Sequence, residues 1–84
     1  MLEKKQIILN SIQEIFRKEL EEPELILTYN SSANNIEKWD SINNLILISS
    51  IEDFYEISFP IEVIFQADTV EDLCNYIALN TTIS

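Results

Sequence analysis

An apolar stripe at helical spacing, placed shortly after a polar loop, constrains the fold of this chain more than any other feature. The loop ends at Asp40-Ser41. Both residue types are preferred at helix starts because their side-chain oxygens accept hydrogen bonds from free backbone N–H groups. The stripe takes positions i, i+1, i+4, i+7 and i+8, which share one helical face. Its members are Leu47, Ile48, Ile51, Phe54 and Tyr55. The pattern predicts a helix from this junction to Tyr55, with the stripe in the core.

Residues 3–21 show the same period. The apolar positions of this segment are Ile8, Ile12, Ile15, Phe16 and Leu20. Pro23 disfavours helical geometry at Glu22, so the first helix should end near Glu21.

Two further helices are predicted after residue 56. Pro60 fits the first turn of a short helix within residues 57–66, where a missing N–H costs nothing. Thr69 and Asp72 have capping-box spacing at the start of a last helix. The apolar stripe of that helix comprises Val70, Leu73, Cys74 and Ile77.

A long connection, residues 22–40, separates the first two long helices. Its apolar residues are Leu25, Ile26, Leu27, Ile36 and Trp39. Because a compact domain rarely tolerates so long a free loop, these side chains are expected to hold it over the core. A single strand over residues 25–29 would lack a partner and is rejected. The predicted fold is all-α, one domain over residues 1–84 with three longer helices and one short helix, and a frayed tail from about residue 80.

Charge is unevenly distributed along the chain. The net charge is −10, and residues 39–84 contain eight acidic residues and no Lys or Arg. Such a surface repels the phosphates of nucleic acids and membranes and favours basic protein surfaces. No nucleic-acid or membrane partner is therefore expected.

Several chemistries are disfavoured by composition. The chain has no histidine and one cysteine, Cys74, so no catalytic residue, disulfide framework or zinc site is expected. Cys74 lies in an apolar stripe and reads as a core thiol. No export signal or membrane-spanning apolar run is recognisable, which favours a cytoplasmic protein. The sequence is not that of an enzyme acting alone.

Ser41 offers a hydroxyl at a predicted helix N-terminus. Free N–H groups and the positive end of the helix dipole favour a phosphate ester at such a place. An ordinary helix cap is the alternative interpretation of the same serine.

Three segments together resemble the acyl carrier protein family. They are Trp39–Tyr55, Phe59-Pro60 and Thr69-Val70-Glu71-Asp72-Leu73. The resemblance implies a four-helix bundle in which Ser41, supported by Asp40, receives 4′-phosphopantetheine from a phosphopantetheinyl transferase. The arm would carry acyl groups as thioesters between acyl-loading and acyl-transfer enzymes.

The resemblance also implies roles for apolar and acidic side chains. Residues expected to shelter an acyl chain are Leu47, Ile48, Ile51, Ile64 and Val70. Residues expected to dock partners are Ile42, Ile46, Glu52, Asp53, Glu56, Ile61, Glu62 and Val63. Isoleucine at 46 and 61 and valine at 63 replace acids common in the family, so docking is expected to be more apolar than usual. Core packing is the alternative role for these aliphatic residues.

The expected function is that of a stand-alone, monomeric acyl carrier for a dedicated biosynthetic pathway. An aminoacyl or peptidyl carrier would use the same serine chemistry. An unmodified, small acidic adaptor or inhibitor is the alternative from a different class.

Overall fold

A computed structural model describes residues 3–81 of the protein. Its four helices are α1 (Lys4–Glu19), α2 (Ser41–Tyr55), α3 (Ile61–Gln66) and α4 (Val70–Asn80). Residues 3–81 contain no strand, and one isolated β-bridge joins Ser32 to Thr69. The prediction of an all-α bundle with three longer helices and one short helix is confirmed.

Helix ends follow the local signals closely. α1 ends at Glu19, two residues before the expected position, and Glu21 then takes a left-handed φ of 54°. Pro60 is the residue before α3. At the start of α4, Thr69 and Asp72 form the predicted capping box. α4 continues to Asn80, and the rest of the expected frayed tail, residues 82–84, lies outside the described residues.

One hydrophobic core joins the helices and the long connection. The buried side chains of the helices are Ile8, Leu9, Ile12, Phe16, Leu47, Ile48, Ile51, Val70, Leu73, Cys74 and Ile77. Leu27, Ile36 and Trp39 bring the connection onto this core, as expected. Ile26 does not contribute, because its side chain is exposed.

Polar bonds also tie the connection to the helices. Arg17 Nε donates to the Leu25 carbonyl over 2.7 Å, and Leu27 N donates to Gln13 Oε1 over 2.9 Å. At the other side, Val70 N donates to the Ser31 carbonyl over 2.9 Å. These bonds satisfy backbone groups of a segment that has no ladder of its own.

The phase of α2 differs from the prediction at one position. Phe54 was expected in the core stripe, and this prediction is wrong because 60% of the side chain is exposed. Its ring lies beside Ile15 and Ser50 at the seam between α1 and α2. The physical reason is that α2 is apolar on its outward face as well as its inward face, so spacing alone does not define which residues point inward. Within the described part of the chain, no helix combines the length and apolar character needed to cross a membrane.

Candidate functional site

The loop-to-helix junction at Asp40 and Ser41 has the geometry of a capped helix start. Asp40 has extended backbone angles, φ −101° and ψ −177°, and its Oδ1 accepts a hydrogen bond from Asn43 N over 2.8 Å. Ser41 is the first residue of α2 and is exposed. Its hydroxyl makes no hydrogen bond to any other group of residues 3–81. Asp40 therefore caps the helix, and the Ser41 oxygen is left accessible.

Two side-chain hydrogen bonds fasten the loop to the first turn of α2. Trp39 Nε1 donates to Asn44 Oδ1 over 2.8 Å, and Asn43 Nδ2 donates to the Lys38 carbonyl over 2.8 Å. The indole ring of Trp39 is buried and meets the Phe16 ring edge to face at a centroid distance of 5.0 Å. Sequence reasoning missed both asparagines. Their presence in a helix start was the available signal, because Asn bonds readily to nearby backbone groups.

An open groove of about 290 Å³ lies beside Ser41. It runs between the long connection and the link from α3 to α4. The other lining residues are Ala33, Trp39, Asp40, Asn44, Ala67 and Asp68. The charged side chains among them, Asp40 and Asp68, are both acidic. The groove thus offers space next to the hydroxyl but little attraction for an anion inside it.

The residues expected to dock partners fall into three groups. Ile42, Ile46 and Ile61 are exposed, with 73% of the Ile42 side chain accessible, so these three isoleucines are not core residues. Asp53, Glu56 and Glu62 are exposed as well. Glu52 and Val63 are half-buried.

Glu52 and Val63 have structural contacts that account for their burial. Glu52 Oε2 accepts a hydrogen bond from Phe59 N over 2.7 Å and so holds the link to α3, while Val63 packs on the core. Leu45 and Phe65 are exposed apolar residues that sequence reasoning missed, at 61% and 79% exposure. No signal identified them, because their phase depends on how α2 and α3 pack.

The residues expected to shelter an acyl chain do come together. Leu47, Ile48, Ile51 and Val70 are buried in the core, and Ile64 is half-buried against it. In the conformation described, these side chains fill the space between the helices. Accommodation of an acyl chain there requires them to move apart.

Titratable groups in the core carry no sign of catalytic activation. Burial raises the pKa of the Cys74 thiol to about 11, which keeps it protonated and unreactive at neutral pH. Burial also raises the pKa of Tyr55, whose Oη has no hydrogen-bond partner among residues 3–81. The prediction that Cys74 is a core thiol is confirmed. No group of three or more His, Cys, Asp or Glu side chains arranged for a metal ion is found within residues 3–81.

The structure is thus a small helical bundle with an exposed serine at the start of α2. The family model for the phosphopantetheine attachment site matches residues 10–77. The holo acyl carrier protein of Geobacter metallireducens, solved by NMR, is 32% identical with a TM-score of 0.80, over 84% of this chain and 82% of that chain. A candidate acyl carrier protein from Mycobacterium tuberculosis shares the fold at 21% identity and a TM-score of 0.77, over 84% of this chain and 95% of that chain. A search of curated proteins found no match.

The chain therefore belongs to the phosphopantetheine-attachment family and resembles acyl carrier proteins within it. It is a carrier protein rather than an enzyme, and its cofactor is a covalently attached 4′-phosphopantetheine. Transferases and acyl-handling enzymes are the general classes of its partners.

Proposed function

We propose that Ser41 is the attachment site of the phosphopantetheine and that Asp40 supports its modification. The observation that carries this proposal is the Ser41 hydroxyl, exposed and without a hydrogen bond to residues 3–81, on the first residue of α2 inside the matched segment. Because Asp40 makes the capping bond to Asn43, the serine is not needed as a helix cap. When attached, the group supplies a terminal thiol that holds acyl groups as thioesters.

The chain's own residues orient the hydroxyl and leave proton transfer to the partner. A serine nucleophile needs a positioned base, and this protein has no histidine. The nearest carboxylate in the sequence, Asp40, is engaged by Asn43 N in the capping bond, so acceptance of the Ser41 proton is assigned to the transferase. The free N–H groups and positive dipole end at the start of α2 favour a phosphodiester on Ser41.

We propose that part of the attached arm binds in the groove beside Ser41. Its walls include the small side chains Ala33 and Ala67, and its volume is about 290 Å³. Because Asp40 and Asp68 line it, we expect the phosphate to stay outside, at the exposed serine.

We propose that enzymes acting at Ser41 dock on the exposed apolar side chains of α2. Ile42, Leu45 and Ile46 lie one, four and five residues after Ser41. Leu45 lies one helical turn after Ser41 on the same face, and Ile46 lies one turn after Ile42 on the adjacent face. An enzyme that reaches the Ser41 oxygen therefore meets two neighbouring rows that contain these apolar side chains.

The chemistry of the matching partner surface follows from what surrounds these residues. Acidic Asp53 lies further along α2 and Glu56 follows its last residue, while residues 39–84 contain no Lys or Arg. The partner surface is thus proposed to be apolar at its centre and basic at its rim. α3 adds further exposed side chains of both kinds, with apolar Ile61 and Phe65 beside acidic Glu62.

Leu45→Asn and Leu79→Asn form a matched pair for testing this docking surface. Both leucines are exposed helix residues, and Leu79 lies near the end of α4. With a broad-specificity phosphopantetheinyl transferase and coenzyme A, Leu45→Asn should raise KM for the carrier at least about tenfold, since burial of a leucine contributes about 1.5–3 kcal/mol. Leu79→Asn should leave KM unchanged. Equal KM values for the two variants would contradict the docking surface.

The wider role is proposed as a monomeric carrier domain, spanning residues 1–84, that serves one dedicated pathway. An apolar docking face selects partners by shape more than by charge, which supports a restricted partner set. Eight acidic residues without a basic one in residues 39–84 support a monomer, because two such surfaces repel each other.

Sedimentation equilibrium tests the oligomeric state. Mass spectrometry of thioesters on the protein isolated from its own cells separates an acyl cargo from an aminoacyl or peptidyl cargo.

Intact-mass measurement tests the attachment site. After incubation with a phosphopantetheinyl transferase and coenzyme A, the protein should gain one phosphopantetheine, and Ser41→Ala should gain none. Ser49→Ala is the matched control, because Ser49 is another exposed serine on α2. An adduct that persists in Ser41→Ala would overturn the assignment. No adduct with several transferases would favour an unmodified acidic adaptor.

A further inference from the structure

Three hydrogen bonds span the backbone on either side of Ser41. Asn43 Nδ2 joins residue 43 to the Lys38 carbonyl, Trp39 Nε1 joins residue 39 to Asn44 Oδ1, and Asn43 N joins Asp40 Oδ1. Each is 2.8 Å long. Ser41 lies inside all three closed loops of chain. Its backbone is therefore held from both sides while its own hydroxyl has no hydrogen bond to residues 3–81.

Trp39 connects this set of bonds to the core. Only 6% of its side chain is exposed, and its ring packs edge to face on Phe16 of α1. A buried indole N–H needs an acceptor, and Asn44 in the first turn of α2 provides it. Through Trp39, the backbone around Ser41 is held in place by contact with α1 as well as by bonds within the loop.

We propose that Trp39 and Asn44 are positioning residues for the modification of Ser41. This inference rests on the proposed attachment at Ser41. Their hydrogen bond fixes where the loop ends and α2 begins, so the serine oxygen approaches a transferase in one orientation. A nucleophile held in its reactive geometry reacts faster than one on a mobile backbone, because the entropy of ordering is not lost again at each encounter.

The proposal makes a different prediction from a purely structural role for the pair. If Asn44 only satisfies the buried indole, its loss lowers stability and leaves modification of the folded protein unchanged. If the bond positions Ser41, its loss lowers kcat for modification while KM for the carrier stays within about twofold. One neutral hydrogen bond corresponds to an effect of about 2–10-fold.

Four single variants and one double variant test this distinction. Asn44→Ala and Trp39→Phe each remove the bond, and Trp39→Phe retains an aromatic ring against Phe16. Asn44→Asp keeps an oxygen acceptor and should restore most of the rate. Asn10→Ala is the matched control, since Asn10 Oδ1 accepts a comparable side-chain hydrogen bond from Gln6 on α1 over 3.0 Å.

The assay is steady-state kinetics of Ser41 modification by a broad-specificity transferase, with the carrier concentration varied at saturating coenzyme A. It is run at a temperature at which circular dichroism shows every variant folded. We expect kcat to fall about 2–10-fold in Asn44→Ala and Trp39→Phe. The combination of the two changes should be no slower than the slower single variant, because both remove one bond. Asn10→Ala should match the unaltered protein.

Two results would overturn the proposal: unchanged kcat in folded Asn44→Ala, or fully additive losses in the double variant. If Trp39→Phe does not fold, Asn44→Ala decides alone, because Asn44 is only half-buried. Failure of the proposed function is a separate outcome. It would appear as absence of a phosphopantetheine adduct on the unaltered protein. If only the positioning role is wrong, the unaltered protein and the Asn44→Ala variant both form the adduct, and they form it at equal rates.

Discussion

Substitution of Asp40 separates two contributions that its carboxylate makes at the site. The exposed side chain accepts the Asn43 N–H over 2.8 Å, and this bond caps α2. Asp40→Ala leaves that N–H without its protein acceptor, and loss of an N-cap of this kind costs about 1 kcal/mol. For a domain of this size, such a loss lowers Tm by about 4–8 °C. Asp40→Asn keeps an oxygen in place and should retain nearly all of the stability.

The negative charge of Asp40 is tested by the same two variants in the transfer reaction. If a transferase recognises the carboxylate, Asp40→Asn should lower kcat/KM for Ser41 modification at least about tenfold, since hydrogen bonds to charged groups contribute about 1.5–3 kcal/mol. Asp40→Asn would then be stable but poorly modified, and Asp40→Ala would be impaired in both respects.

Thermal and urea unfolding followed by circular dichroism supply the stability measurements. Thr69→Ala provides an internal scale, because the Thr69 hydroxyl caps α4 by accepting the Asp72 N–H. Equal Tm values for Asp40→Ala and the unaltered protein would refute the capping role. A loss in Asp40→Asn as large as in Asp40→Ala would show that charge, rather than the acceptor oxygen, stabilises the helix start.

The remaining predictions concern the core and the helix ends. Burial raises the pKa of Cys74 from an ordinary value of 9.0 to about 11, so the folded protein keeps the thiol protonated over a pH range in which the unfolded chain ionises it. The contribution of Cys74 to the free energy of unfolding should therefore be complete below about pH 9 and lost towards pH 11. The free energy of unfolding should therefore fall more between pH 8 and 11 in the unaltered protein than in Cys74→Ala, as measured with urea. If Leu47, Ile51 and their neighbours shelter acyl chains, Tm should be higher for the decanoyl form than for the acetyl form, and equal Tm values would count against sheltering. Glu56 caps α2 with a left-handed φ of 55°, a geometry that costs a non-glycine residue about 1–2 kcal/mol, so Glu56→Gly should raise Tm by a few degrees in calorimetry.

The helices themselves could be predicted because their signals are local. Thr69 and Asp72 are three residues apart and form the capping box in the structure, and the α1 stripe from Ile8 to Leu20 is buried except at partly buried Ile15. A cap or a stripe depends only on residues within a few turns of one another. Such features need no knowledge of the rest of the fold.

The orientation of α2 could not be predicted in full because both of its faces are apolar. Ile42, Leu45 and Ile46 are exposed while Leu47 and Ile48 are buried, so apolar character changes little around the helix. Phe54 was assigned to the wrong face for this reason. Packing of α2 against α1 decides which side turns inward.

The sequence by itself determined the helical class, the helix start at Asp40-Ser41 and the serine available there, because those depend on residue types at short fixed spacings. Only the tertiary structure decided that Trp39 packs on Phe16 of α1, that Leu27 bonds to Gln13 of α1, and that an acid-lined groove opens beside Ser41. These features depend on the path of a 21-residue connection, Leu20 to Asp40, whose side chains find partners across the core rather than along the chain. Contacts of that kind appear only when α1, the connection and α2 are brought together.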